Sequence, residues 1–435
     1  LNQTTVTDRG GNVTRNDFDE NGNTTRMETF TKGLRAGEPG SYVSQFTYNS
    51  DLLKVSETHP LGNGVKYIYD SMNPNRRARG NLLQVRKKAS MAAADNDAVD
   101  LVWTMTYESQ YNQPKTMVDP KGNVYTLLYD YELPTTDPKY GTKGNLVKLT
   151  YPMVSGQSPT VDLTYNSYGQ VTEVKDPNNN ITQYGYDAVT GYLTSVRQDP
   201  SGINAATQIT YDVYGNVNTV TDPNNHVTDY DYNALHWLIQ ERNPLNFLTK
   251  YTHDQNGNVM KVERQSDAGA TQWQTVQMTY DVLNNLKTVT DPLNRITTYN
   301  YDNNENLISM VDANTKTTTY QYDERDFLFK VTDANTPSAG VTQYDYDNNG
   351  NLKRILDAKS QTTNYTYDLF DRLDVMTYAD GSTVNYDYDK NSNLDFVTLP
   401  GTYGTMDYVY DTLNRLTAKN YPVNPSRNQY CPVIS

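Results

Sequence analysis

Residues 280–301 read YDVLNNLKTVTDPLNRITTYNY, and the order of residue types in this stretch indicates two short strands and two turns. Asp281–Asn285 is a polar turn, and Leu286–Thr290 is a β-branched run of the kind found in strands. The next turn begins at Asp291 and carries proline at its second position, where the fixed φ of proline suits a turn. Because the chain then returns over Ile296–Tyr301, the stretch predicts a β-hairpin.

The return strand of this hairpin is expected to have two different faces. Successive side chains of a strand point to opposite sides of the sheet, so residues two apart share a face. One face is predicted to carry Thr297, Tyr299 and Tyr301, and the other Ile296, Thr298 and Asn300. Glycine and asparagine fall at the turn positions that demand a positive φ.

The tyrosine that ends this hairpin recurs along the chain at an almost fixed interval of 21 residues. Repeats this short cannot bury a face alone and must stack on their neighbours. We therefore predict an all-β fold, an array of consecutive antiparallel β-hairpins that forms a continuous spiralling, curved sheet, shell or barrel-like. The frame continues less regularly upstream through Phe18, Tyr48, Tyr69, Tyr107 and Tyr129, and His253 occupies one tyrosine position. The predicted structural repeat markers are Tyr165, Tyr186, Tyr211, Tyr232, Tyr280, Tyr301, Tyr322, Tyr346, Tyr367, Tyr388 and Tyr410.

The repeat frame also predicts the organisation of the chain. We expect one repeat array over residues 1–421, with insertions near 24–41, 71–100 and 131–159 where the steps lengthen, and an irregular tail over 422–435. Ala89–Val99 is the one segment whose pattern suits a helix. Because the first hairpin lacks its first turn and the last lacks its return strand, we expect an excerpt or a processed part of a longer chain.

The composition argues against several classes of function. The net charge of −14 disfavours nucleic-acid binding, which needs a basic stripe. No run of 18 apolar residues predicts a membrane span. With 38 Tyr against 8 Phe, we expect a thin polar-aromatic wall without an oily centre. One local basic cluster is interpreted as a solvated insertion loop, with a partner contact or processing site as the alternative: Arg76, Arg77, Arg79, Arg86, Lys87 and Lys88.

Three segments imitate a calcium-binding loop, namely Asp19–Asn23, Asp254–Asn258 and Asp347–Asn351. They do not continue as an EF-hand does, because that loop needs glycine at its sixth position and glutamate at its twelfth. Turn formation is the preferred interpretation, with a weak cation site as the alternative. The single cysteine, Cys431, gives neither a disulfide framework nor a zinc motif. We predict no metal and no cofactor.

The four histidines, His59, His226, His236 and His253, all occupy turns or a tyrosine position of the repeat, and we interpret each as structural. A catalytic triad needs a base held against a nucleophile, and no such pattern is present. No catalytic residue is predicted, and the chain is not expected to be an enzyme. The tyrosine stripe suits cross-strand packing, with carbohydrate stacking as the alternative.

The consensus of the units, YDxxGNLxxVTDPxGxxTxYxYD, resembles the YD repeat of the Rhs family, which is also found in Tc toxin shell components and in teneurins. The resemblance extends from Val6 to Tyr421. It implies that the hairpins wind into a hollow shell, which encloses a toxic C-terminal domain in Rhs and Tc proteins and serves as an extracellular adhesion scaffold in teneurins. The sequence lacks the Rhs core ending that closes the shell and carries the self-cleaving aspartates.

Two functions follow from this resemblance. In the first, the chain builds the wall of a shell around a cargo or toxin domain supplied by missing sequence or by another chain. In the second, it is an extracellular structural or adhesive surface protein that self-associates through its sheet edges, with carbohydrate as a further ligand. Both predict a secreted or cell-surface location.

Overall fold

The computed structural model describes residues 2–35, 37–266, 271–334, 340–401 and 403–422. In these ranges the chain forms 35 β-strands that belong to one antiparallel sheet, together with a short 3-10 helix at Asp130–Glu132. The predicted all-β array of consecutive hairpins is confirmed. Cys431 and most of the predicted irregular tail lie outside the described residues, and the proposed division into one array with insertions remains a prediction.

The strands are numbered in chain order. They are β1 Asn2–Thr7, β2 Val13–Phe18, β3 Thr24–Phe30, β4 Ser41–Tyr48, β5 Lys54–Thr58, β6 Gly64–Tyr69, β7 Leu82–Lys88, β8 Leu101–Tyr107, β9 Pro114–Val118, β10 Val124–Tyr129, β11 Leu146–Thr150, β12 Thr160–Tyr165, β13 Val171–Lys175, β14 Ile181–Tyr186, β15 Leu193–Gln198, β16 Ala205–Tyr211, β17 Val217–Thr221, β18 Val227–Tyr232, β19 Leu238–Arg242, β20 Leu248–His253, β21 Val259–Gln265, β22 Trp273–Tyr280, β23 Leu286–Thr290, β24 Ile296–Tyr301, β25 Leu307–Val311, β26 Thr317–Tyr322, β27 Leu328–Thr332, β28 Val341–Tyr346, β29 Leu352–Leu356, β30 Thr362–Tyr367, β31 Leu373–Thr377, β32 Thr383–Tyr388, β33 Leu394–Thr398, β34 Thr405–Tyr410 and β35 Leu416–Asn420.

The chain divides into two compact units. Among the described residues, unit 1 contains 2–127, 150–159 and 319–422, and unit 2 contains 128–149 and 160–318. Within each unit, consecutive strands pair antiparallel. In unit 2, for example, Thr288 of β23 lies opposite Thr298 of β24, and Thr290 lies opposite Ile296. Both predicted strands of the 280–301 hairpin therefore have the predicted bounds.

Most hairpins in the described residues are closed by five-residue turns of one conformation. In the turn 291–295 the Asp291 amide donates to the Arg295 carbonyl at 3.0 Å, and the Asn294 amide donates to the Asp291 carbonyl at 2.9 Å. The fourth residue is left-handed, with φ of 60° at Asn294 and 88° at Gly215, which explains why asparagine and glycine recur there. The predicted positive-φ positions are confirmed.

Every repeat tyrosine ends a strand, and for nine of those in the described residues the hydroxyl bridges to the neighbouring strand. The hydroxyl of Tyr301 at the end of β24 donates to the carbonyl of Leu286, the first residue of β23, at 2.9 Å. Because this bond joins the two ends of one hairpin, it fixes the hairpin's register while satisfying the phenol. The nine tyrosines are Tyr69, Tyr107, Tyr165, Tyr186, Tyr211, Tyr280, Tyr301, Tyr346 and Tyr367.

We expect Tyr301→Phe to lower the free energy of local unfolding by about 0.5–1.5 kcal/mol, because it removes the bond to Leu286 and leaves the ring in place. Hydrogen exchange of the β23 and β24 amides measures this loss. Tyr214→Phe is the matched control, because Tyr214 is 75% exposed at the tip of a turn. Equal exchange in the two variants would contradict the prediction.

The described residues contain little fully buried hydrophobic surface. Their fully buried hydrophobic side chains are Tyr42, Ala78, Leu101, Tyr129, Val147, Val384 and Val397. Most strand residues are half-buried instead. The fold therefore has the thin wall that the tyrosine-rich composition predicts, without a thick apolar centre. No helix in the described part of the chain is long and apolar enough to cross a membrane.

Two expectations for residues 76–100 are wrong. Ala89–Val99 forms turns and bends and no helix. Arg86 and Lys88 are not part of a solvated loop, because both lie on β7 and are buried against carboxylates of the segment that follows. Only Arg76, Arg77, Arg79 and Lys87 of the basic cluster are exposed.

Candidate functional site: a seam between two rows of turns

The turns of the sheet fall into two rows, one at each end of its strands. Post-tyrosine turns follow a strand that ends on a repeat tyrosine, as 281–285 does after Tyr280. Mid-repeat turns connect the two strands of one hairpin, as 291–295 does. Because consecutive strands are antiparallel, the two kinds of turn lie at opposite ends of the strands.

The leading residue of these turns is usually an aspartate that its own turn saturates with hydrogen bonds. The Oδ1 of Asp254 accepts from the amides of Asn256 at 2.8 Å and Asn258 at 2.9 Å, and its Oδ2 accepts from the Asn258 side chain at 2.9 Å. The Asn258 side chain and these amides hold the pKa of Asp254 below its ordinary value. The segments that imitate calcium loops are therefore turns whose carboxylates already have partners, and no group of metal ligands occurs among the described residues.

In unit 1 the two rows of turns meet. Mid-repeat turns near the N-terminus contact post-tyrosine turns near the C-terminus, and we call this contact the seam. Five turns of each row take part, which are 31–40, 59–63, 89–100, 119–123 and 151–159 from the first row and 323–327, 347–351, 368–372, 389–393 and 411–415 from the second. Residues 259 to 308 positions apart thereby become neighbours.

The seam begins with a buried cluster of charges. The guanidinium of Arg35 donates to the Asp323 carboxylate at 2.6 Å, and Arg325 lies 3.4 Å from the same carboxylate. Asp323 is only 1% exposed. The Arg325 guanidinium also stacks over the ring of Tyr42 at 3.8 Å, and the Lys32 amide donates to Glu324 at 3.3 Å. This cluster ties loop 31–40 to turn 323–327.

The next part of the seam consists of side-chain amides around one carboxylate. The Asn349 side chain accepts from the Leu61 amide at 2.9 Å and donates to the Asn63 side chain at 2.8 Å. Asn63, Asn349 and Asn351 donate to the Asp371 carboxylate at 2.8 to 2.9 Å. His59 Nδ1 lies 3.6 Å from the same carboxylate. Asp371 is thus the centre of a polar network shared by both rows.

The remaining contacts are directional hydrogen bonds. Lys390 donates to the Asp97 carbonyl at 3.0 Å. The Lys121 ammonium donates to Asp389 at 2.9 Å, and the Asn391 side chain donates to Asp119 at 2.6 Å. Thr412 donates to the Met153 carbonyl at 2.7 Å. The first and second residues after the leading position therefore supply most of the contacts of the post-tyrosine turns, whereas the turn 368–372 contributes through Asp371, its fourth residue.

The histidines have the structural positions that the sequence predicts, but one of them lies in the seam. His253 ends β20 with its ring 5.4 Å from that of Trp237, and His226 contacts Asp222 of its own turn at 3.1 Å. His236 is the left-handed residue of its turn, with φ of 63°, and bonds Asn216 at 2.9 Å. His59 alone faces a carboxylate from a distant repeat.

Sequence reasoning missed the seam. The repeat markers end strands and stabilise hairpins, whereas the seam uses the tips of turns between them. A signal was present in the sequence at residue 59, where histidine occupies the leading position that aspartate holds in the turns 119–123 and 291–295.

Comparison with known proteins agrees with this architecture. The family model described as teneurin YD-shell matches residues 242–373, and the RHS repeat model matches 165–205 and 211–247. No curated protein sequence matches the chain.

Solved structures resemble the chain in fold. The crystal structure of TcdB2-TccC3-Cdc42 aligns with 94% of the chain at a TM-score of 0.64 and 16% identity, and that of TcdB2-TccC3-TEV aligns with 94% at 0.63 and 17%. The Photorhabdus luminescens Tc holotoxin pore with a TccC3 mutation aligns with 96% at 0.51 and 15%. The chain spans about a quarter of each of these chains, 23% in all three.

The repeats, the strand pairing and these matches lead to one conclusion. Residues 165–205, 211–247 and 242–373 of the chain are similar to the RHS repeat and teneurin YD-shell families, and its fold is similar to that of the TcdB2-TccC3 structures.

Proposed function

We propose that the chain forms part of the wall of a hollow β-shell that encloses a cargo, and that it acts without catalysis. The seam is the observation that supports this proposal most directly. A sheet whose two rows of turns carry matching polar groups can form hydrogen bonds between those rows. Such a contact closes the gap between distant repeats of the sheet. The buried cluster of Arg35, Asp323 and Arg325 keeps that gap closed.

The chemistry of the wall suits containment. The contacts of the seam are hydrogen bonds and ion pairs between turns, so the closure is specific in register and does not need a thick apolar core. The carboxylates of the ordinary turns are occupied by their own backbone amides. The similarity to TcdB2-TccC3 supports a cargo of the toxin class and a secreted or cell-surface location for this chain.

Electron micrographs of the purified chain test this proposal. We expect a particle with a curved, continuous wall and an internal space. A flat strip of uniform width would contradict it, because a strip has no closed seam.

The second candidate is a surface element that associates with further copies of itself, and one observation favours it. In unit 2 the post-tyrosine turns carry exposed apolar side chains at the positions that make the seam contacts in unit 1. Exposed apolar rows of this kind mark interaction surfaces. The residues are Tyr168, Val189, Val213, Tyr214 and Val282.

For this candidate we expect the double variant Val213→Asp, Tyr214→Asp to weaken self-association about tenfold or more, because two apolar side chains would no longer be buried between copies. Sedimentation velocity over a range of concentrations measures the association. Met72→Asp is the control, since Met72 is 93% exposed on a turn of unit 1. A wild-type chain that stays monomeric at every concentration would contradict self-association.

A further inference from the structure

His59 occupies an unusual place in the seam. Other mid-repeat turns, such as 119–123 and 222–226, begin with an aspartate whose carboxylate accepts two amides of its own turn. An imidazole replaces that carboxylate in the turn 59–63, although the backbone keeps the same closure, with the His59 amide donating to the Asn63 carbonyl at 2.8 Å. The substitution therefore changes the charge that the turn presents to the seam and leaves the turn intact.

The group that faces His59 across the seam is Asp371. The His59 Nδ1 lies 3.6 Å from the Asp371 carboxylate, and both side chains are half-buried. Asp371 has φ of 61° and occupies the left-handed position that asparagine or glycine fills in most turns. His59 and Asp371 are thus both unusual residues for their turn positions, and their side chains contact each other.

The other charges around His59 favour its protonated form. Its Nε2 lies 3.8 Å from Glu57, at the end of β5. Lys54 opposes protonation, but its ammonium pairs with Glu57 at 2.6 Å. Across the seam, Asp347, Asp368 and Lys353 line a 210 Å³ cavity that Asn63 and Asp371 also border. Taken together, the four carboxylates of Glu57, Asp347, Asp368 and Asp371 outnumber the two ammonium groups of Lys54 and Lys353 around the imidazole.

We propose that His59 and Asp371 form a pH-dependent latch, which holds the seam most tightly when the imidazole is protonated and loosens it as the pH rises. This inference rests on the proposed function of the seam as the closure of a wall. It assigns to that closure a dependence on the acidity of the compartment, so that the wall is tighter in a mildly acidic environment than in a neutral or alkaline one.

The direction of the pH dependence follows from the pKa shifts of both partners. The Asp371 carboxylate raises the pKa of His59 above its ordinary value, so the stabilisation is complete below a pH of about 6.5 and is lost as the pH rises through the higher value in the folded state. Burial opposes ionisation of Asp371, but His59 and three asparagine side chains together hold its pKa well below the usual range. Its contribution is therefore complete above a pH of about 4, and the latch is strongest between these two limits.

Hydrogen exchange of the turns 59–63 and 368–372 between pH 5.5 and 8.5, corrected for intrinsic rates, tests the latch. We expect protection in the wild-type chain to fall about threefold to tenfold over this range. His59→Gln should remove the dependence, and His59→Lys should keep protection high throughout. His226→Gln is the control, since the His226 imidazole pairs with Asp222 of its own turn.

The possible outcomes separate the latch from the wall. A pH dependence that survives in His59→Gln, or wild-type protection that does not change with pH, would overturn the latch and leave the wall proposal standing. Absence of protection in both turns at every pH would overturn both, because the seam itself would then be open.

Discussion

Replacing Asp323 with alanine should open the first contact of the seam and cost about 3–5 kcal/mol of local stability. The Asp323 carboxylate is the shared partner of Arg35 and Arg325, at 2.6 and 3.4 Å, and both guanidinium groups are nearly buried. Its removal leaves the Arg325 guanidinium without this counter-charge and leaves Arg35 with Glu38 alone, at 3.2 Å, in a region that water scarcely reaches. An unpaired buried charge is far more costly than an absent one, which is why truncating one partner has so large an effect.

Two further variants separate the seam from the turn in this experiment. Asp323→Asn keeps an oxygen that can accept from the Arg325 and Phe327 amides, as Asn166 does for the amides of Tyr168 and Gln170, but it removes the charge. Asp323→Asn should therefore lower the local stability by most of the amount that Asp323→Ala does. Asp281→Ala removes the same turn bonds in unit 2 and should lower local stability much less than Asp323→Ala does.

Hydrogen exchange of residues 31–35 and 323–327 gives the local free energy of opening for each variant. A global unfolding curve is less suitable, because long repeat arrays do not unfold as one cooperative unit. If Asp323→Ala loosened these residues no more than Asp281→Ala loosens its own turn, the charge cluster would not hold the seam.

Local chemistry explains why the strands and turns could be predicted from the sequence. The bounds of Leu286–Thr290 and Ile296–Tyr301 follow from a β-branched run, a proline at the second turn position and a period of two. The left-handed residues follow from asparagine and glycine. Each of these signals acts over a few residues, so one unit contains all the information that its own hairpin needs.

The seam could not be predicted in the same way, because its partners are 259 to 308 residues apart in the sequence. Asp323 leads its turn just as Asp281 does, and nothing within the repeat shows that only the first has arginine partners. The register that matches one row of turns with the other joins repeats of unit 1 that are far apart in the sequence, and no single repeat contains the information for it. Only residues that differ from the repeat consensus, such as His59, indicated which turns take part in the seam.

The prediction of a solvated basic loop was wrong for a different reason. Arg86 and Lys88 are two apart on β7 and so share a face, and Asp95, Asp97 and Asp100 follow within the same hairpin. The sequence therefore contained both halves of a charge-compensated cluster. Counting cations alone suggested a solvated surface, whereas pairing them with the acids that follow would have predicted burial.

Asp100→Ala is expected to have the second large effect, again about 3–5 kcal/mol, because it removes the buried counter-charge of this cluster. Asp100 accepts from Arg86 at 2.8 Å and from the Asn96 amide at 2.9 Å, and it lies 3.5 Å from the Lys88 ammonium. Lys88 is 1% exposed. Burial opposes ionisation of Asp100, yet the Asn96 amide and the two cations keep its pKa below the ordinary value. The contribution should accordingly be complete above a pH of about 4 and be lost as the pH falls through the lower value in the folded state.

Asp97→Ala is the matched control for Asp100→Ala. Asp97 pairs with the same Arg86 at 2.5 Å, but its side chain is 80% exposed, so its loss should cost less than about 1 kcal/mol. Hydrogen exchange of β7 and β8 measures both variants. Equal effects of Asp97→Ala and Asp100→Ala would contradict the assignment of Asp100 as the buried counter-charge.

The same variant also tests how insertions support the seam. The segment 89–100 presents the Asp97 carbonyl to Lys390, and Asp100 holds that segment against β7. If Asp100→Ala releases the segment, protection should fall in the turn 389–393 as well, although that turn contains no substituted residue. Because Lys121 and Asp119 also bond this turn, the loss there should be partial. Unchanged exchange in 389–393 would mean that the segment 89–100 folds onto β7 without stabilising the seam.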